Sequence, residues 1–228
     1  MFKFYFLSIV LSVLFIGKMQ AQQTEQVSKL GVKYLEYFPE INEGDENLPL
    51  LIFLHGMGER GDDLTKLKLH GPPSFLDEKK DFPFITISPQ CPDTIYWNEE
   101  ILLPFYEEII AKYLIDKKRI YLTGLSMGGF GTWESIVAKP DLFAAAAPIC
   151  GGGDPSKLKA VKSMPIWVFH GAKDQVVPLL RSEEMVNKLK EVGSKVKFTI
   201  YPEATHDSWT ETYANPKLYD WLLSHQKK

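Results

Sequence analysis

Two hydrophobic rhythms alternate along the chain. Short, nearly unbroken apolar runs occur at Leu50 to His55, Phe84 to Ser88, Arg119 to Thr123, Leu142 to Ile149 and Ile166 to His170. Runs of this length predict strands buried on both faces, the condition of strands inside a parallel sheet. Between them the period lengthens to that of a helix. Ile101 to Ile115 begins after Asn98, Met127 to Lys139 stops at Pro140, and Leu179 to Val192 stops at Gly193, so capping and breaking residues frame the helical stretches. Strand followed by helix, repeated, predicts an α/β fold with a mostly parallel central sheet flanked by helices. Val32 to Phe38 alternates apolar and polar residues as a half-exposed edge strand would. Lys195 to Tyr201 adds a last strand and Tyr213 to Ser224 a closing helix. No repeat, low-complexity tract or Pro/Gly-rich linker interrupts the pattern, so residues 22–228 are read as one domain.

The N-terminus follows a different rule. Lys3 precedes an apolar run from Phe4 to Ile16, relieved only by Ser8 and Ser12, and Gly17, Lys18 and a polar stretch follow. That order is a secretory signal peptide, here assigned to residues 1–21 with cleavage after Ala21. The run falls short of the roughly 18 to 20 residues that span a bilayer. The expectation is therefore a secreted or periplasmic protein with no stable membrane anchor. Removal of Lys3 and Lys18 takes the net charge from -3 to two units lower.

Composition narrows the function classes. With 228 residues, 45% hydrophobic and 24% charged, the chain can bury a core and is not a disordered polymer. Its 26 basic and 29 acidic residues include no Lys/Arg block, so the electrostatic footprint of a nucleic-acid partner is missing. Cys91 and Cys150 belong to no C-x-x-C motif and no Cys/His cluster of zinc spacing, so neither a disulfide scaffold nor a metal site is expected.

The chemistry centres on Gly124-Leu125-Ser126-Met127-Gly128, a G-x-S-x-G between a strand and a helix. Glycines are needed there because the chain reverses sharply and leaves the serine strained and exposed, with other backbone packed close. A serine hydroxyl needs a base to take its proton and a carboxylate to orient that base, in the chain order Ser, acid, His. His55 and His70 precede the serine; His225 lies in the last helical turn. His170 ends a strand and would leave only Asp154 as the intervening acid. His206, in a loop after the last strand, is the preferred base. Asp174, four residues beyond His170, and Asp154, behind Gly151-Gly152-Gly153, compete as the acid. Asp174 is preferred because its strand is nearer in chain order to the His206 loop, and because Asp154 has a ready role capping the turn begun by Pro155. An oxyanion hole requires backbone N–H groups. Met127, after the nucleophile, supplies one, and Met57 in His55-Gly56-Met57-Gly58 supplies the other. His55 is read as a loop brace, and Glu59 with Arg60 as a solvated ion pair.

Gly56-Met57-Gly58-Glu59-Arg60-Gly61 is also formally G-x-G-x-x-G, the pattern of a dinucleotide-binding turn. Its context fails, because Gly71-Pro72-Pro73 breaks the helix that should follow and the next strand runs into Ser88-Pro89-Gln90 instead of ending on an acid. An NAD-binding protein remains only as an alternative of a different class.

Together with Ala147-Pro148-Ile149-Cys150-Gly151-Gly152-Gly153-Asp154, Trp167 to Asp174 followed by Val177-Pro178, and Tyr201 to Trp209, these residues resemble the α/β-hydrolase superfamily over most of Leu50 to Leu223. The similarity is to its small esterase branch: dienelactone hydrolase-like, phospholipase/carboxylesterase-like, and feruloyl or acetylxylan esterase-like proteins. The resemblance also assigns the acid to Asp174. Dienelactone hydrolases proper use a cysteine nucleophile where this chain has Ser126, so lactone chemistry is not implied. In the hydrolase strand order, the strands before Cys91 and Cys150 are separated by two others, roughly 14 Å, too far for a disulfide. Two free thiols are expected.

The resemblance implies a serine carboxylic-ester hydrolase working through an acyl-enzyme without a cofactor. The partner is a small-molecule or polysaccharide-linked ester, and the sequence sets no oligomeric state. The stretch between the strands ending at Ile149 and starting at Ile166 is too short for a substantial lid, which favours short-chain or aryl esters, including those of acylated plant polysaccharide. Trp97 and Trp209 are the expected substrate walls. A serine peptidase of prolyl-oligopeptidase-like type uses the same parts, but such enzymes restrict access with a propeller for which this chain has no length. A non-catalytic hydrolase-fold protein is disfavoured because every expected catalytic position is filled.

Overall fold

The computed structural model describes residues 22–40 and 47–227; the signal-peptide assignment lies outside them. An eight-stranded sheet runs in the order β1-β2-β4-β3-β5-β6-β7-β8. Its strands are β1 (Gln22–Val27), β2 (Lys33–Phe38), β3 (Leu48–Leu54), β4 (Ile85–Pro89), β5 (Ile115–Leu125), β6 (Ala145–Ile149), β7 (Trp167–Gly171) and β8 (Lys197–Tyr201). β3 to β8 are parallel, while β2 pairs antiparallel with both β1 and β4. The fold class is the one the alternation of strand and helix patterns implies: α/β, of the α/β-hydrolase type.

The continuous apolar runs serve two cores at once. In β3, which the one-turn α1 (Pro73–Leu76) follows, Leu50, Ile52 and Leu54 face a cluster with Leu102, Phe105 and Ile109 of α2 (Glu99–Lys112), Trp133 and Ile136 of α3 (Met127–Ala138), and Met185, Val186 and Leu189 of α4 (Leu180–Glu191). Leu51 and Phe53 face the opposite cluster, which holds Phe84, Tyr121, Phe169 and the C-terminal Tyr213, Leu218 and Leu222. Side chains alternate across a strand, so a strand with no polar position must be covered on both faces. Each fully buried Leu, Ile or Phe contributes about 1.5–3 kcal/mol.

Two expectations are corrected. β2 is not the sheet edge, because β1 pairs outside it from Gln22↔Phe38 to Val27↔Lys33. β1 reads Gln-Gln-Thr-Glu-Gln-Val and is mostly exposed; backbone pairing and polar side-chain bonds, Gln23 Nε2 to Pro73 O, Thr24 Oγ1 to Glu36 Oε1 and Lys112 Nζ to Gln26 Oε1, tie it down, so it leaves no hydrophobic pattern to read. The closing helix is two helices, α5 (Trp209–Ala214) and α6 (Pro216–Leu223). Pro216 has no N–H to continue α5, and Asn215 caps α6 by accepting from Lys217 N. Between β6 and β7 there is only a 3-10 turn over Pro155–Val161, so no lid is built there.

Candidate active site

The parallel strands deliver four loops to their common carboxyl edge. Ser126 follows β5 at the centre, the Gly56-Met57-Gly58 loop follows the neighbouring β3, and the loops after β7 and β8 carry Asp174 and His206 on the other side. Ser126 sits at φ 51° and ψ -117°, strained for a residue with a Cβ. The strain is held by close packing. Ser126 N donates to Ile149 O at 3.0 Å, and a Cβ on Gly128 would stand 1.9 Å from Leu54 O. Only glycine lets α3 begin this close to β3, and that contact turns the serine out of the strand.

The structure brings Ser126, His206 and Asp174 together. His206 Nε2 lies 2.9 Å from Ser126 Oγ, and His206 Nδ1 lies 2.7 Å from Asp174 Oδ2. A carboxylate can only accept, so Nδ1 carries the proton and Nε2 presents a lone pair to the serine hydroxyl. The Asp174 side chain is fully buried. Its Oδ1 accepts from Val176 N and Val177 N, each at 2.9 Å. Gly171 brings the two loops together, since a Cβ there would meet Thr205 O at 2.2 Å. Bonds from Ala172 N to Tyr201 O and from Lys173 N to Ala204 O then fix the separation of acid and base. Asp154 is elsewhere, exposed and capping a turn through Ser156 N and Oγ.

His170 is the neighbour the sequence did not place. Its Nε2 faces Val177 O at 2.9 Å and Asp174 Oδ2 at 3.3 Å, and its Nδ1 meets Ser182 Oγ at 2.7 Å. Burial pushes its pKa below the ordinary value, so the neutral ring donates from Nε2 toward two acceptors. The signal was present as an i, i+4 pair at the end of β7, but only the fold shows that both rings share one carboxylate.

Met57 and Met127 each occupy the first position of a helical turn, a 3-10 turn over Met57–Glu59 and α3 respectively. N–H groups at such positions have no intrahelical partner. The loop carrying Met57 lies against the elbow, since a Cβ on Gly56 would stand 3.7 Å from Ser126 Cβ. His55 braces this loop: its Nε2 accepts from Cys91 N at 2.9 Å and its Nδ1 donates to Gly56 O at 2.6 Å. Burial lowers its pKa to about 4, so it is neutral in ordinary buffers.

Three further expectations meet the structure. Trp97 does not wall an open site: it is 4% exposed, its Nε1 donates to His55 O, and its Cβ packs over Gly131. The ring is large enough to close the core beneath the loop, which its position after a strand did not reveal. Trp209 does stand at the site, half-buried, with its ring 5.0 Å from that of His206. Glu59 and Arg60 are not a solvated pair. Glu59 is buried, whereas Arg60 donates to Ile95 O and lies over the Tyr96 ring.

Cys150 and Cys91 are both free and buried. Ligand atoms of Cys150, Asp174 and His206 lie within 4.8 Å of one another, the one such grouping of metal-binding residue types among the described residues. Asp174 and His206 are already bonded to each other, and burial pushes the Cys150 thiol up to about 12, leaving a protonated sulfur that ligates poorly.

The comparisons agree on the class of protein. The Phospholipase/Carboxylesterase family model matches residues 104–217. A bifunctional acetylxylan esterase/xylanase of Neocallimastix patriciarum is 27% identical over 186 residues, covering 77% of this chain and 26% of that protein. Feruloyl esterase B of Piromyces equi is 33% identical over 164 residues, covering 64% of this chain and 30% of its own length. The chain thus spans less than a third of either curated relative. Among solved structures, a thermostable esterase superposes with a TM-score of 0.79 at 35% identity, over 91% of this chain and 64% of that one.

Proposed function

The chain belongs to the phospholipase/carboxylesterase family, and from that premise we propose that it is a serine carboxylic-ester hydrolase working through an acyl-enzyme. The observation that carries this reading is the unbroken hydrogen-bond chain from Ser126 Oγ through His206 to the buried Asp174 carboxylate. Ser126 attacks the ester carbonyl while His206 Nε2 takes its proton. Asp174 holds the ring in that tautomer and stabilises the imidazolium. Met57 and Met127 N–H groups receive the oxyanion. His206 then passes its proton to the leaving alcohol, and water, activated by the same base, releases the acid.

The substrates proposed are short-chain or aryl esters, including those carried on acylated plant polysaccharide. Support comes from the absence of a lid segment between β6 and β7, the Trp209 ring beside His206, and the acetylxylan and feruloyl esterases among the relatives. Export, from the hydrophobic N-terminus, fits a polymeric substrate outside the cell. The test compares p-nitrophenyl acetate, butyrate and laurate with methyl ferulate and acetylated xylan, for the wild type and Ser126→Ala. The expected result is turnover of acetyl or feruloyl esters, weak turnover of laurate, and loss on the order of a million-fold in kcat for the variant. No ester turnover by the wild type, or full turnover by Ser126→Ala, would overturn the reading.

A further inference from the structure

The tip of the oxyanion loop has little packing of its own. Met57 is 49% exposed, and a Cβ added to Gly58 would meet nothing within 4 Å. An exposed glycine leaves the backbone free to turn, yet the Met57 N–H must point at one place to receive an oxyanion. The rest of the loop is stitched to the loop after β4 by bonds from Gly61 N to Cys91 O, Gln90 Nε2 to Glu59 O and Cys91 N to His55 Nε2. On the near side of Met57, His55 Nδ1 holds Gly56 O, one end of the peptide that carries the Met57 N–H. The far side is left to Arg60.

Arg60 N and Arg60 Nε both donate to Met57 O, at 3.5 and 3.3 Å. The backbone bond is longer than an ordinary one, so the side chain supplies a second hold. Nη1 donates to Ile95 O at 3.0 Å, and the guanidinium stands 5.2 Å from the centre of the Tyr96 ring, within cation–π reach. One planar group therefore clamps the Met57 carbonyl to the loop after the neighbouring strand. Its partners are unusual for this chain. Of the three arginines, Arg119 pairs with Asp116 and Arg181 with Glu184, whereas Glu59, beside Arg60, turns to His55 and His70. Arg60 is held by carbonyls and an aromatic face, an arrangement that fixes backbone rather than balances charge.

We propose that Arg60 is a positioning residue for ester hydrolysis, fixing the Met57 turn so that the Met57 N–H meets the oxyanion; this rests on the esterase reading above. Arg60 acts through Met57 and does not touch the substrate. Its fork reaches Met57 O, Ile95 O and the Tyr96 face together, which the single ammonium of a lysine cannot reproduce. Loosening the turn displaces the amide, and a displacement of about 1 Å can cost about a hundredfold in rate. The neutral ester needs that amide less than the oxyanion does, so the loss falls on kcat and not on KM.

The test measures kcat and KM for p-nitrophenyl acetate with the wild type, Arg60→Lys, Arg60→Gln and Tyr96→Leu, alongside the inhibition constant of an alkyl trifluoromethyl ketone. Ser126 Oγ adds to the ketone carbon, its proton passes to His206, and the carbonyl electron pair moves to the oxygen, which remains as an oxyanion. Both Arg60 variants should lower kcat by about 10- to 100-fold with KM within about twofold, and should weaken the ketone by the same factor as kcat/KM. Tyr96→Leu, which removes only the platform under the guanidinium, should give a smaller loss in the same constants. Thermal melts establish which variants fold; if Arg60→Gln does not, Arg60→Lys carries the comparison. A raised KM with kcat intact would mean that Arg60 contacts substrate. A lowered melting temperature with both constants unchanged would mean a role in folding alone, and full kcat in Arg60→Lys would mean that charge suffices. Each of these overturns the proposal and leaves the esterase reading standing; that reading fails separately if the wild type cleaves no ester.

Discussion

Asp174→Asn changes almost nothing in shape and one decisive thing in hydrogen bonding. Asp174 Oδ1 accepts from two backbone N–H groups while Oδ2 faces two imidazole nitrogens, His206 Nδ1 at 2.7 Å and His170 Nε2 at 3.3 Å. With the amide oxygen kept on the backbone side, the new NH2 becomes a donor aimed at His206 Nδ1. That ring relieves the clash by moving its proton to Nε2, where it points at Ser126 Oγ, 2.9 Å away, and can no longer accept the serine proton. Flipping the amide instead would strand the Val176 and Val177 N–H groups, at about 1–3 kcal/mol each, so the wrong tautomer is the cheaper outcome. The expected loss in kcat is about ten-thousand-fold, equivalent to about 5.5 kcal/mol of transition-state stabilisation. KM for p-nitrophenyl acetate should change little, and urea unfolding should show the variant still folded. Asp154→Asn, which alters only an exposed cap, should leave kcat within about twofold. A loss under tenfold for folded Asp174→Asn, or a larger loss for Asp154→Asn, would refute the assignment.

Burial lowers the His55 pKa from 6.5 to about 4, so between those values the unfolded chain binds a proton that the folded protein refuses. Stability should therefore fall as pH drops through that window, by about 3 kcal/mol from this residue. His170, also shifted downward by burial, acts in the same direction. Urea unfolding at pH 7 and pH 4 should show a smaller drop for His55→Gln than for the wild type, and equal drops would disprove the linkage. Burial pushes the thiols of Cys91 and Cys150 up to about 11 and 12. The native protein at pH 8 should accordingly resist a disulfide reagent and release two thiols per chain once denatured without reductant; finding none would mean a disulfide. Trp209→Ala should raise KM for an aryl ester more than for an acetyl ester, by about 1–3 kcal/mol of lost apolar contact, and small equal effects would return the ring to loop packing. With no lid segment between β6 and β7 to displace, rate should saturate with monomeric long-chain ester, and a jump at the solubility limit would contradict that reading.

What the sequence made legible follows from where signals are strong. The buried strands and long helices announce themselves by period, and Ser126, His206 and Asp174 by motif and chain order, because a strand-to-helix elbow and loops past strand ends leave marks in one dimension. β1 left none, since a polar edge strand is held by backbone bonds and polar side chains. Glu59 in the loop after β3 and Trp97 in the loop after β4 are both buried, and loop burial has no periodicity to read. His170 was visible only as a rejected base, because its partner lies across a turn whose shape the sequence does not spell out.

The central claim is that Ser126 is the nucleophile, activated by His206. Intact-mass spectrometry after exposure to p-nitrophenyl diethyl phosphate tests it most directly, because an activated serine reacts with the reagent far faster than an ordinary hydroxyl and the adduct does not turn over quickly. The account predicts one diethylphosphoryl group per chain, mapped by peptide sequencing to Ser126, absent from Ser126→Ala and strongly slowed in His206→Ala. An adduct on another residue, or unlabelled protein that continues to hydrolyse esters, would contradict it.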